Sequence, residues 1–286
     1  MANHGIDIRR AGVVTGLLSP ASLLVLGSLV LPMLTLLRYS FNAYDPVLLM
    51  RETFTLENYI RFFTEPYFHE VIATTVIVSL TATIASIILA FPIAYFLART
   101  KSRFKSFFVV LVIFPLLVGN VVRAAGWIAL FGTKGMVNVT LMSLGLISQP
   151  IEIMYTDFAV VLGTLSVVLP FMILSLQSVI ENVDFSIVDA ALNLGASRYK
   201  AFTRIFLPMI TPGILAGFML IFILCMNAYA TPYLLGGPGY KMMAPALYNQ
   251  ISSVANWPFG SALAFILMAV TVLLTVFVSR FTARRY

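Results

Sequence analysis

Six stretches of this chain are apolar for about twenty residues or more: 11–37, 71–97, 107–131, 158–179, 209–229 and 261–279. A helix of roughly 20 apolar residues crosses the hydrocarbon core of a bilayer. Backbone donors and acceptors there find no water, so only helices and closed barrels can span. None of the six stretches alternates with the period of two that a barrel strand requires. The sequence therefore predicts an all-α polytopic membrane protein with six transmembrane helices. Composition agrees: only 10% of the residues are charged, against about 25% in soluble domains. The first stretch follows Arg9 and Arg10, as in a signal peptide. It is far longer than the roughly 7–15 residues of a signal core, so it reads as a retained helix. The single cysteine, Cys225, lies inside an apolar stretch and allows neither an intrachain disulfide nor a cysteine metal site. His4 and His69 are isolated, so no metal site and no cofactor are expected.

The net charge of +7 sits in short loops, where it reports topology rather than nucleic-acid binding. Arg9, Arg10, Arg99, Lys101, Arg103, Lys105, Arg198, Lys200, Arg204, Arg280, Arg284 and Arg285 fall on one side. Arg38, Arg51, Arg61, Lys134 and Lys241 fall on the other, with most of the acids. The more basic side is expected to face the cytoplasm, which places both termini there. Residues 1–66 read as a first transmembrane helix with an external segment. Residues 67–280 read as a core of five further helices, with external loops at 132–157 and 230–260 and a cytoplasmic loop at 181–208.

That cytoplasmic loop is patterned as helix. Ser186 and Asp189 have capping-box spacing, and Ile187, Ala190, Ala191 and Leu194 recur on one face. Gly195 suits the left-handed residue that ends a helix. A second helix can start at Ser197, and Pro208 marks the start of the next span. A short amphipathic helix of this kind can lie on headgroups, pack on its own bundle or insert into a groove of a partner.

Asp189-Ala190-Ala191, Gly195, Ile205, Leu207 and Pro208 resemble the "EAA" loop of ABC-importer permeases, with Asp in place of Glu. Thr231 to Pro238, Asn256 to Ala264 and Asn120 to Trp127 are similar to segments of the spermidine/putrescine-type branch of that family, which also handles opines, phosphonates and iron. The resemblance implies a type I importer permease (MetI-like) fold in a bacterial inner membrane, and a pathway for a small polar solute such as a polyamine, opine, amino-acid-like or phosphonate compound. It further implies two copies of an ABC ATPase docked on the 186–194 coupling helix, a second and distinct permease completing a heterodimer, and a periplasmic solute-binding protein.

Arg123 is the one charge well inside a span, where ionisable groups are costly and commonly functional. It can face the pore, or it can serve structure by snorkelling or pairing. Asn120, Asn227, Tyr229, Thr231 and Tyr233 can line a solute pathway, bond across helices or sit as interface aromatics. Similar permeases often carry an acid near position 227, where this chain has Asn. Gly213 and Gly217 suit close helix packing. Pro92, Pro115 and Pro170 imply kinks. No phosphate-binding Gly-Lys-Ser/Thr loop is present, so ATP hydrolysis is expected in a separate subunit. Two other readings were open to a chain of this composition. An ion-coupled transporter needs mid-membrane acids or repeat halves, and neither is visible. A scaffold or intramembrane enzyme would leave the cytoplasmic loop unexplained.

Overall fold

The computed structural model describes residues 8–283, with the side chains of 19–20 and 22–280. In chain order the helices are α1 (Ile8–Ser40), α2 (Glu57–Thr64), α3 (Pro66–Arg99), α4 (Lys105–Leu117), α5 (Asn120–Phe131), α6 (Met136–Ser143) and α7 (Asp157–Glu181). They continue as α8 (Phe185–Asn193), α9 (Arg198–Ala201), α10 (Leu207–Met226), α11 (Ala230–Gly236), α12 (Met243–Ser252) and α13 (Trp257–Ala283). Among the described residues, five helical stretches are long and apolar enough to cross a membrane, and a bent pair, taken as one span, brings the total to six.

The centre is a bundle of α3, α7 and α10. Its tightness comes from small residues. Thr75, Ser79, Ala82, Ser86, Ala90 and Ala94 form a buried stripe along α3, and Met172, Leu176 and Ile180 of α7 are fully buried in the same core. Helices in lipid associate through such close packing, because lipid tails supply no hydrophobic drive between them. Gly213 and Gly217 do the same for α10. A Cβ on Gly213 would collide with Val179 of α7, and one on Gly217 would lie 3.0 Å from the Met172 sulfur. Helix α13 joins the bundle through α10 and carries α1 on its flank. Along 22–34, α1 leaves most of its large apolar side chains exposed, as a peripheral lipid-facing helix does. Buried Asn58 of α2 donates to Ser40 O at 2.9 Å and to Asn42 O at 2.8 Å, which ties the end of α1 to the core.

The structure departs from the sequence reading in three places. The expected third span, 107–131, is broken. The axis turns by 92° between Lys105–Leu117 and Asn120–Ser143. Pro115 removes a helix donor, Val118 and Gly119 take extended conformations, and the helix restarts at Asn120. The fifth span ends at Met226 rather than 229, and at its other end it runs back continuously to Arg198. Pro208 is absorbed there by a π-turn over Phe202–Phe206, whose wider spacing relieves the clash a proline ring makes with the preceding turn. The segments expected as loops contain α2, α6, α11 and α12. These helices are short, seven to ten residues each, and α11 and α12 each carry a proline, so neither length nor composition sets them apart from loop.

Candidate functional site

Two regions collect the residues singled out by the sequence. The first is a cavity of about 500 Å³ bounded by α4, α5, α7 and the junction between α10 and α11. Asn120, Arg123, Asn227, Tyr229 and Thr231 all line it. Tyr233 stands behind, its ring 5.4 Å from that of Tyr229. Residues distant in sequence meet here because both walls contain a helix break. One is the α4–α5 elbow; the other is the unwound stretch 227–229, where α10 stops and α11 starts. In membranes, non-helical backbone is tolerated where it is enclosed by protein or lines a cavity.

Arg123 is not a free cation. Its guanidinium donates to Pro115 O and, at 3.0 Å, to Val118 O, and lies 3.4 Å from Asn120 Oδ1. These carbonyls lie at the C-terminal end of α4, the place where a helix best accepts a positive charge. The expectation that Arg123 lies well inside an unbroken span is therefore corrected. It sits in the first turn of α5 and clasps the elbow. Across the cavity, Asn227 caps α10 and returns its amide to Ile223 O at 2.9 Å. Thr164 of α7 is buried against the cavity, and its hydroxyl has no hydrogen-bond partner. The residues lining this cavity include no carboxylate.

Several participants were missed from sequence. Thr164 is a lone threonine in an apolar run. Tyr248 belongs to a helix expected as loop, and its ring lies 4.5 Å from Tyr229 and 6.2 Å from Tyr233. Phe171 of α7 completes the wall. Spacing alone carries no signal for these contacts.

The second region is the helical loop 181–208. Helix α8 starts two residues earlier than the Ser186 capping box implies. Asp184 is the cap, its Oδ1 accepting from Ser186 N at 3.0 Å. Hydrogen bonding from the Ser186 side chain, and then from its backbone N–H, holds the Asp184 carboxyl below its usual range, as suits an anion at a helix N-terminus. Gly195 has φ +86°. Its N–H reaches Leu192 O and that of Ala196 reaches Ala191 O, both at 3.0 Å, a Schellman closure. Helix α8 presents two faces. Phe185 and Val188 pack on the core, whereas Ile187, Asp189, Ala190 and Leu194 are exposed. Of the alternatives open for this helix, packing of its Ile187/Ala190/Leu194 face on its own bundle does not occur. Ala191, Ile205 and Leu207 are half-buried and Pro208 is exposed. Phe185 anchors the assembly, stacked 5.6 Å from Phe206 with Arg99 over its ring at 4.1 Å. Phe206 in turn meets Tyr95 of α3 at 5.7 Å. Nearby, Lys105 and Glu181 pair at 2.8 Å.

At the opposite end of the bundle the 237–243 strap is tied down. Tyr240 donates to Asp157 at 2.6 Å, Lys241 pairs with Glu70, and Met243 N donates to Thr75 Oγ1 at 2.9 Å. Burial first, and then Asp157, pushes the Tyr240 phenol up, while the Glu70 carboxylate raises Lys241.

Comparison with known proteins places this geometry. Residues 73–286 match the family described as "Binding-protein-dependent transport system inner membrane component". The chain is 35% identical over 240 residues to the spermidine/putrescine transport system permease protein PotB of Escherichia coli, covering 84% of this chain and 87% of that one. It is 32% identical over 266 residues to the inner membrane ABC transporter permease protein YdcU of Escherichia coli, covering 88% and 84%. Among solved structures, a chain of a bacterial ABC transporter involved in alginate import superposes with a TM-score of 0.81 at 18% identity, with 97% of each chain covered. That likeness is one of fold.

Proposed function

This chain belongs to the family of binding-protein-dependent transport system inner membrane components, and we propose that within its importer it forms one wall of the solute pathway. It is a multi-pass inner-membrane permease of an ABC importer that works with a periplasmic binding protein, and ATP hydrolysis resides in partner subunits. The observation that carries the pathway reading is the cavity. It sets a few polar groups in an otherwise apolar wall, it lies between two helix breaks, and it gathers five of the six candidate pathway residues. The cargo is a small polar amine of the spermidine/putrescine kind. This reading draws on relatives of that name at 32–35% identity over most of both chains.

Helix α8 is the coupling helix. Two ATPase copies dock on the cytoplasmic face of the importer, and one receives the exposed face of Ile187, Ala190 and Leu194. Helix-in-groove docking suits such a face. Asp189 and Ala190 lie on it, and Gly195 fixes the angle at which the chain returns to α10. A second, non-identical permease completes the pore, and the binding protein delivers cargo at the end that carries the 237–243 strap. Both termini lie in the cytoplasm.

The test is a gentle-detergent pull-down of tagged chain co-expressed with its genomic neighbours, followed by ATPase assay in lipid discs. The expected result is a held ATPase that is stimulated by the loaded binding protein and loses that stimulation with Gly195→Val. A chain that purifies alone, with uptake following a proton or sodium gradient, overturns the reading.

A further inference from the structure

The cavity presents a chemical puzzle for an amine cargo: its lining has one arginine and no carboxylate. The resolution lies in how its charges are spent. The Arg123 guanidinium is committed to Pro115 O and Val118 O, at the carbonyl end of α4. Its charge is answered there by the negative pole of that helix, so the cavity is not built to seize an anion. The second helix end in the wall, that of α10 at Met226 and Asn227, has no basic residue in its last turn. Its last carbonyls meet only neutral amide donors, from Asn227 and Ala228, so the negative pole beside the cavity-lining stretch 227–229 has no side-chain cation to answer it.

Around that pole the lining offers acceptors and π faces. The Thr164 hydroxyl is 2% exposed as a residue and has no partner, an arrangement that costs free energy unless a ligand or water completes it. The Asn227 amide donates to Ile223 O, which leaves its carbonyl oxygen as an acceptor. Phe171 and Tyr229 contribute rings. Tyr229 is braced by Tyr248 at 4.5 Å and Tyr233 at 5.4 Å, so its ring is held rather than free to rotate away. Aromatic faces attract ammonium groups through their quadrupole.

We propose that this cavity is an ammonium site without a carboxylate: the α10 carbonyl end, Thr164, Asn227 and the braced Tyr229 ring hold one protonated amine of the cargo in passing, and Arg123 takes no part beyond shaping the wall. This rests on the importer reading above. The chemistry suits a pathway. Neutral acceptors and a π face bind a cation weakly enough to release it, and a site that conducts must do both. A buried carboxylate would hold the same cation far more tightly.

The experiment uses the complete importer, reconstituted in proteoliposomes with its binding protein saturated with spermidine or putrescine. It measures amine taken up per ATP hydrolysed for wild type, Tyr229→Phe, Tyr229→Leu and Thr164→Val. The site predicts that Tyr229→Phe keeps uptake per ATP near wild type, because the ring face remains. Tyr229→Leu lowers it by roughly tenfold, the scale of a desolvated cation–π contact. Thr164→Val, of nearly the same shape, lowers it several-fold. Equal uptake in the Phe and Leu variants, whether both high or both low, overturns the ammonium site, as does unchanged uptake in Thr164→Val. A wild-type complex that hydrolyses ATP in response to its binding protein yet moves neither amine also overturns it, and leaves the importer reading standing. A wild-type complex with no ATP-driven uptake of any solute overturns the importer reading itself, and the site with it.

Discussion

Arg123 joins the two halves of the broken third span through two carbonyls at the end of α4, Val118 O and Pro115 O, the second of which also accepts from Val118 N at 3.3 Å. Charge-assisted hydrogen bonds of this kind are worth about 1.5–3 kcal/mol each. Arg123→Met is expected to lower thermal stability in detergent by about 2–3 kcal/mol, with partial recovery in Arg123→Lys, which keeps the charge but not the fork. Scanning fluorimetry reads this directly. A Met variant that melts with wild type and changes only cargo preference would place Arg123 among the ligands instead. Asp45 plays a comparable part in the segment between α1 and α2. It accepts from Val47 N at 2.8 Å and Leu48 N at 3.0 Å, and pairs with Arg51 at 2.5 Å. The backbone hydrogen bonds, chiefly, lower its carboxyl. A lowered folded value means that its stabilisation is complete above the unfolded value of about 3.9 and is lost as pH falls through the folded one. Amide-exchange protection at Val47 and Leu48 should therefore collapse only in strong acid, and Asp45→Asn should remove that pH dependence.

Among the elements, α8 and its closing glycine carry the sharpest constraint. Nothing lies within 4 Å of a Cβ built on Gly195, yet its φ of +86° is one that L side chains rarely adopt. The constraint is conformational, not steric packing, and a side chain there costs about 1–2 kcal/mol. Gly195→Val is thus expected to insert and assemble while altering the angle between α8 and α9. Uptake should fall at least tenfold with basal ATPase retained. Uptake at the wild-type level would remove Gly195 from the coupling machinery. The glycine and its helix were legible in the sequence because they depend on neighbours within six residues. The true cap, Asp184, was not, since Ser186 offers the same chemistry two positions on and only the backbone path selects between them.

At the scale of the whole molecule, α8 is linked to more than its sequence neighbours. Phe185 stacks on Phe206 of the π-turn, which meets Tyr95 of α3, while α3 packs along the length of α7. A displacement of α8 therefore has a packed route into the central bundle. Phe185→Leu should lower uptake per ATP several-fold and Phe185→Trp should largely restore it; equal coupling in wild type and the Leu variant would mean the stack serves stability alone. The sequence by itself determined the membrane class, all six apolar segments and the helix–glycine–helix, because hydropathy and capping act over short distances along the chain. The tertiary structure alone decided that the third span bends at Val118 and Gly119, that Arg123 closes that bend, and that Thr164 and Tyr248 join the candidate pathway residues. Those facts depend on which helix faces which, and a pattern along one chain does not encode the facing of helices whose surfaces are apolar all round.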